Sequence, residues 1–72
     1  MFCCEVCRDQ ENYYNYKNIE VHHIIKLVDD VEGLLDDLNL VALCPAHHKL
    51  ADKNLISVDY LKGLARAREG EQ

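Results

Sequence analysis

Two short spacings, about forty residues apart, restrict this chain more than anything else in it: Cys4-x-x-Cys7 near its start and Cys44-x-x-His47 within "LCPAHH". A gap of two residues lets a turn or a helix start aim two side chains at one point, and four such donors satisfy a tetrahedral ion. Either half alone is a weak signal, because paired cysteines are often only small buried apolar residues. Together, in a chain of 72 residues, they specify a structural zinc, since a domain this small rarely stabilises itself on one hydrophobic core. An ion that binds both halves closes a segment of about forty residues, and long loops gain most from a clip. Cys3 also lies within reach of Cys7, but spacing favours Cys4.

Four thiols could instead pair as disulfides in three ways, as small secreted domains do. The start, "MFCCEVCRDQENYYNYKN", has no basic segment leading into an apolar run and no small-residue cleavage site, so it does not read as a secretory leader. No apolar stretch approaches the roughly 20 residues of a membrane span. The expectation is a soluble cytoplasmic protein with reduced thiols and no membrane partner.

The chain reads as one domain over residues 1–72. Cys4 and Cys7 sit in a polar, turn-like beginning, and the tyrosines of "ENYYNYKN" are expected to form part of the core rather than a platform for stacking on bases. "NIEVHHII" is rich in β-branched residues, with Ile19 and Val21 alternating, and predicts a first strand; "NLVALC" predicts a second. Between them, residues 29–38 form an acidic connection with a helical turn anchored by Leu34, Leu35 and Leu38. Pro45 suits the first turn of a helix with Cys44 near its cap, running to about Lys53 and ending near Asn54. A last helix over 57–68 takes Ser57 as N-cap, carries Val58, Leu61, Leu64 and Ala65 on one face, and is weakened by Gly63.

With His47 assigned to zinc, His48 points about 100 degrees away around the helix and serves a different ion. His48 and Asp52 are four residues apart and share a face, which offers one imidazole and one carboxylate to a second metal. "VHHI" can complete that set. In a regular strand His22 and His23 point to opposite faces; if the strand ends or bulges there, both rings approach the helix, one as ligand and one as free base. Mixed imidazole and oxygen ligation accepts Mg²⁺, Mn²⁺, Ni²⁺ or Zn²⁺.

Taken in order, Cys4-x-x-Cys7, "VHHI", "NLVALC" and "CPAHH" resemble the HNH endonucleases, from Cys4 to about Lys53. The resemblance implies an α+β, treble-clef-like ββα-metal domain: a two-stranded antiparallel hairpin and a helix around one catalytic cation, here with a structural zinc and an added C-terminal helix. It makes His22 the first ligand of the catalytic metal, His23 the general base that activates water, and Asn39 the residue that shapes the loop and orients that base. His48, nine residues after Asn39, resembles the last histidine of the motif. Asp52 falls where some relatives have a further histidine ligand. Zinc-containing relatives commonly supply four cysteines, whereas the fourth position here is His47, so a shift in helix register would exchange the roles of His47 and His48.

The resemblance implies a metal-dependent DNA endonuclease that leaves 5′-phosphate and 3′-hydroxyl ends, with little surface for sequence readout. Net charge is −5, the opposite of the usual footprint of a nucleic-acid binder. Phosphate contacts would fall to Lys49, Lys53, Lys62 and Arg66, if these are more than ordinary solvated charges. A second copy or a larger protein is a conceivable partner that delivers the domain to DNA. Two other readings compete. One is a zinc-knuckle interaction module without catalysis, which has no use for His22, His23, Asn39 and His48 together. The other is a two-histidine, one-carboxylate iron site, which His22, His48 and Asp52 resemble in ligand type only.

Overall fold

The computed structural model describes residues 2–25 and 37–70. Its elements in chain order are α1 (Glu5–Glu11), β1 (Glu20–His23), a single 3₁₀ turn (Asp37–Asn39), β2 (Leu40–Leu43), α2 (Pro45–Asp52) and α3 (Val58–Arg68). The architecture is α+β, with β1 and β2 paired as an antiparallel hairpin and helices packed around it. The acidic connection lies outside the described residues apart from its last part, where Asp37 and Leu38 enter the 3₁₀ turn.

The polar beginning is a helix, not a turn. Cys4 caps it with sulfur, its Sγ accepting from the Cys7 N–H at 3.5 Å, and Asn12 ends it in the left-handed conformation with φ 51°. In the first strand Val21 is 58 % exposed, whereas His22 and Ile24 are buried. β1 is also shorter than "NIEVHHII", because Asn18 is left-handed with φ 54° before it and the chain turns away after His23.

α2 starts at Pro45 with Cys44 as its N-cap, and Asn54 follows it with φ 59°. α3 starts where Ser57 Oγ accepts the Tyr60 N–H at 3.0 Å. Leu61, Leu64 and Ala65 turn inward, but Val58 remains 37 % exposed. Tyr13, Tyr14 and Tyr16 are exposed, which corrects the expectation that they pack inside. Among the described residues, the large aliphatic side chains that are buried are Val6, Ile24, Val41, Leu43, Leu61 and Leu64; the other buried apolar positions are alanine or cysteine.

Tyr60 is the tyrosine that packs against this core. Its hydroxyl donates to Asp9, joining α3 to α1. Burial, and then the hydrogen bond to the Asp9 carboxylate, push its pKa up from 10.0 to about 12. The neutral phenol therefore adds stability that is fully present below pH 10 and is lost as pH rises through 12. Ultraviolet titration should show one tyrosine ionising near 12, a step that Tyr60→Phe removes; no such late step would contradict the contact.

Candidate metal centres

Both helix starts converge at the first cluster. Cys4 caps α1 and Cys7 lies in its first turn, while Cys44 caps α2 and His47 lies in its first turn. His47 Nδ1 is 3.4 Å from Cys4 Sγ, 3.5 Å from Cys7 Sγ and 3.3 Å from Cys44 Sγ, and Cys7 Sγ is 4.0 Å from Cys44 Sγ. Zinc bonds of about 2.3 Å to sulfur and 2.0–2.1 Å to nitrogen put tetrahedral vertices about 3.8 Å apart for two sulfurs and about 3.6 Å apart for sulfur and nitrogen. The observed edges match those lengths, so this Cys₃His cluster is compatible with a structural zinc. Cys3 stands outside it, half-buried, which decides for Cys4.

Hydrogen-bond donors point at two of the sulfurs. The Cys7 amide points at Cys4 Sγ, and Asn15 Nδ2 donates to Cys7 Sγ at 3.9 Å. Asn15 is itself held, its carbonyl accepting the Cys4 N–H at 2.8 Å. Burial, followed by hydrogen bonding with Cys4, pushes the Cys7 thiol up to about 12. Burial acts the same way on Cys44, but the His47 amide, the Cys4 and Cys7 thiols and the Ala46 amide outweigh it and hold that thiol below its ordinary value. A zinc ion at this point would take the place of the protons such a buried cluster otherwise retains.

The second cluster lies between β1 and α2. His22, His48 and Asp52 each offer a ligand atom, and these atoms lie within 4.8 Å of one another. His22 Nδ1 is 3.6 Å from Asp52 Oδ1, and His48 Nε2 is 3.7 Å from Asp52 Oδ2. Both gaps are longer than a hydrogen bond. They lie at or just beyond the upper end of the roughly 3.3–3.6 Å that separates tetrahedral ligands around an ion with bonds of 2.0–2.2 Å. The rings of His22 and His48 meet edge to face at 5.2 Å. His22 is buried, while Asp52 is 48 % exposed, so the cluster is open on one side. A cleft of about 240 Å³ lies beside it, lined in part by His22, Ile24, Asp52 and Leu61. His47 and His48 thus face different clusters, as their angular separation on the helix requires.

Two metal-suited clusters in this order along a ββα frame narrow the family, and a model of HNH endonucleases matches residues 4–54. The chain belongs to the HNH endonuclease family. Comparison with curated proteins and with solved structures gives no match. Members of this family are generally nucleases, and α3 lies beyond the matched residues of this HNH domain.

The structure does not bring His23 into either cluster. β1 stays regular to its end, His22 opposite Val41 and His23 opposite Leu40, so there is no bulge and the two rings project to opposite faces. His23 is half-exposed at the point where the strand stops. Asn39 secures that point. Its carbonyl accepts the Ile24 N–H at 2.8 Å, its Oδ1 accepts the Ile25 N–H at 2.8 Å, and its Nδ2 donates to the Ile25 carbonyl at 3.1 Å. Lys49, Lys53 and Arg66 are exposed and Lys62 is half-exposed.

Glu20 is the site residue that sequence reasoning missed. His48 Nδ1 lies 2.7 Å from Glu20 Oε1. An ionised carboxylate only accepts, so this contact puts a proton on Nδ1, and Nε2 is the nitrogen that faces Asp52. The signal was available: Glu20 is two residues before His22 and shares its face of the strand.

Proposed function

We propose that this HNH domain is a metal-dependent endonuclease that hydrolyses phosphodiester bonds in DNA with little sequence preference. The observation that carries the reading is the convergence of His22, His48 and Asp52 in an open cluster separate from the buried Cys₃His cluster. A chain that used zinc only to hold its fold would need just one of the two.

A divalent cation held by His22, His48 and Asp52 would supply Lewis-acid stabilisation of the charge that develops on the phosphate and the leaving 3′ oxygen. His23 takes the proton of the attacking water and must be neutral to do so. Its half-exposed ring admits water, and its position on the far face of the strand keeps it from becoming a fourth ligand. Asn39 holds the chain just after His23 and thereby its direction. Glu20 keeps the His48 proton on the nitrogen remote from Asp52. Lys49, Lys53, Lys62 and Arg66 are the cations available to hold phosphates, and binding through them weakens with salt. A nick becomes a double-strand break when two domains act on opposite strands.

The test is plasmid cleavage by the zinc-loaded protein with added Mg²⁺, Mn²⁺ or Ni²⁺. Conversion of supercoiled to open-circular DNA is expected. No cutting of DNA or RNA with any of these ions would leave the zinc-knuckle interaction module as the better reading. A separate measurement addresses the second cluster: Glu20→Gln is expected to weaken Mn²⁺ or Ni²⁺ binding by about 10–100-fold, the usual effect of losing the carboxylate behind a ligating histidine. Titration calorimetry on zinc-loaded protein checks it, and unchanged affinity would remove Glu20 from the site.

A further inference from the structure

The free edge of β2 is closed by side chains rather than by a third strand. On that edge the Ala42 N–H donates to Glu5 Oε2 at 2.8 Å, and the Leu40 carbonyl accepts from Arg68 Nη1 at 2.9 Å. The two side chains also meet each other, Arg68 Nη1 to Glu5 Oε2 at 2.7 Å. Arg68 Nη2 donates further to the Asp37 carbonyl. One guanidinium from the last turn of α3 therefore holds the main chain on both sides of Asn39, at Asp37 and at Leu40. Its planar fork of donors suits this, because an ammonium is a point charge without that fixed geometry.

Asn39 in turn holds Ile24 and Ile25, the residues that follow His23. A continuous set of hydrogen bonds thus runs from α3 through the 3₁₀ turn to the end of β1. We infer that Arg68 is a positioning residue for the HNH site, acting through Asp37, Leu40 and Asn39 on the backbone that carries His23. This makes α3, which lies outside the family match, part of the site's support rather than an appendage. The kinetic part of the inference rests on the nuclease reading; the structural part does not.

Truncating Arg68 is the wrong test, because Glu5 is buried and its Oε1 has no hydrogen-bond partner among the described residues. Loss of the cation would leave a buried carboxylate with little compensation and unfold the domain. Arg68→Lys keeps the charge beside Glu5 but loses the fork. In the zinc-loaded variant, hydrogen exchange at the Ile24 and Ile25 amides should accelerate by about tenfold relative to core amides such as Leu61 and Ala65. Exchange that is unchanged, or that accelerates uniformly across the domain, would overturn the relay.

The second measurement is plasmid cleavage by the same variant. Turnover is expected to fall by about tenfold with KM unchanged, since phosphate-binding groups are untouched. Full turnover with faster Ile24 and Ile25 exchange would overturn the link to His23 while leaving the relay. If wild-type protein does not cut, the nuclease reading fails and the exchange result still decides the relay.

Discussion

Cys44→Ser is expected to leave this chain without a cooperative fold. Cys44 belongs to the cluster compatible with zinc, caps α2 and follows β2 directly, so an ion held there would tie α1 to the hairpin and the second helix. Structural zinc in small domains is worth about 10–16 kcal/mol of apparent binding free energy at neutral pH. Whole domains are stable by only about 5–15 kcal/mol, and this one buries just six large aliphatic side chains among its described residues. Losing one ligand of four therefore removes an amount comparable with the whole margin. Circular dichroism should show no thermal transition, zinc should not co-purify at one equivalent, and chelation of wild type should reproduce the effect. Cys3→Ser serves as the control and should melt as wild type does. A Cys44→Ser protein that still unfolds cooperatively would refute a structural zinc at this cluster.

His23→Ala is expected to reduce plasmid cleavage by about 10²–10⁴-fold, the range a general base contributes. Because His23 lies outside the His22, His48 and Asp52 cluster, the substitution should leave Mn²⁺ affinity and zinc content unchanged. His48→Ala should instead lower Mn²⁺ affinity, which separates a base from a ligand. Cleavage by His23→Ala at the wild-type rate, measured at equal zinc content, would remove His23 from the mechanism.

Much of the site was legible because its parts are close in the chain. Cys4 with Cys7, Cys44 with His47, and His48 with Asp52 are related by helical spacing, which the backbone enforces whatever the rest of the molecule does. Pro45 and Ser57 marked their helix starts for equally local reasons, a missing N–H and a hydroxyl acceptor. The helix after Cys4 was hidden because its cap is a sulfur, a residue type that does not announce a cap. The tyrosines misled because aromatic bulk favours burial without fixing it: Tyr13, Tyr14 and Tyr16 lie exposed between α1 and β1, and Tyr60 packs against the core.

Which face of β1 turns inward was open in the sequence, since Ile19 and Val21 argued for one register and His22 with Ile24 for the other. Packing against α2 chose the histidine face, because His22 there meets His48 and Asp52. The same step put Glu20 on His48, 28 residues away. Arg68 is the extreme case: two of its partners are the carbonyls of Asp37 and Leu40, and every residue has a carbonyl. Donor chemistry and short spacings are written in residue types, so the two clusters suited to metals could be anticipated from the order of amino acids. Contacts across the fold depend on register and on backbone groups that carry no residue label, so the supports of those ligands emerge only when the chain is folded.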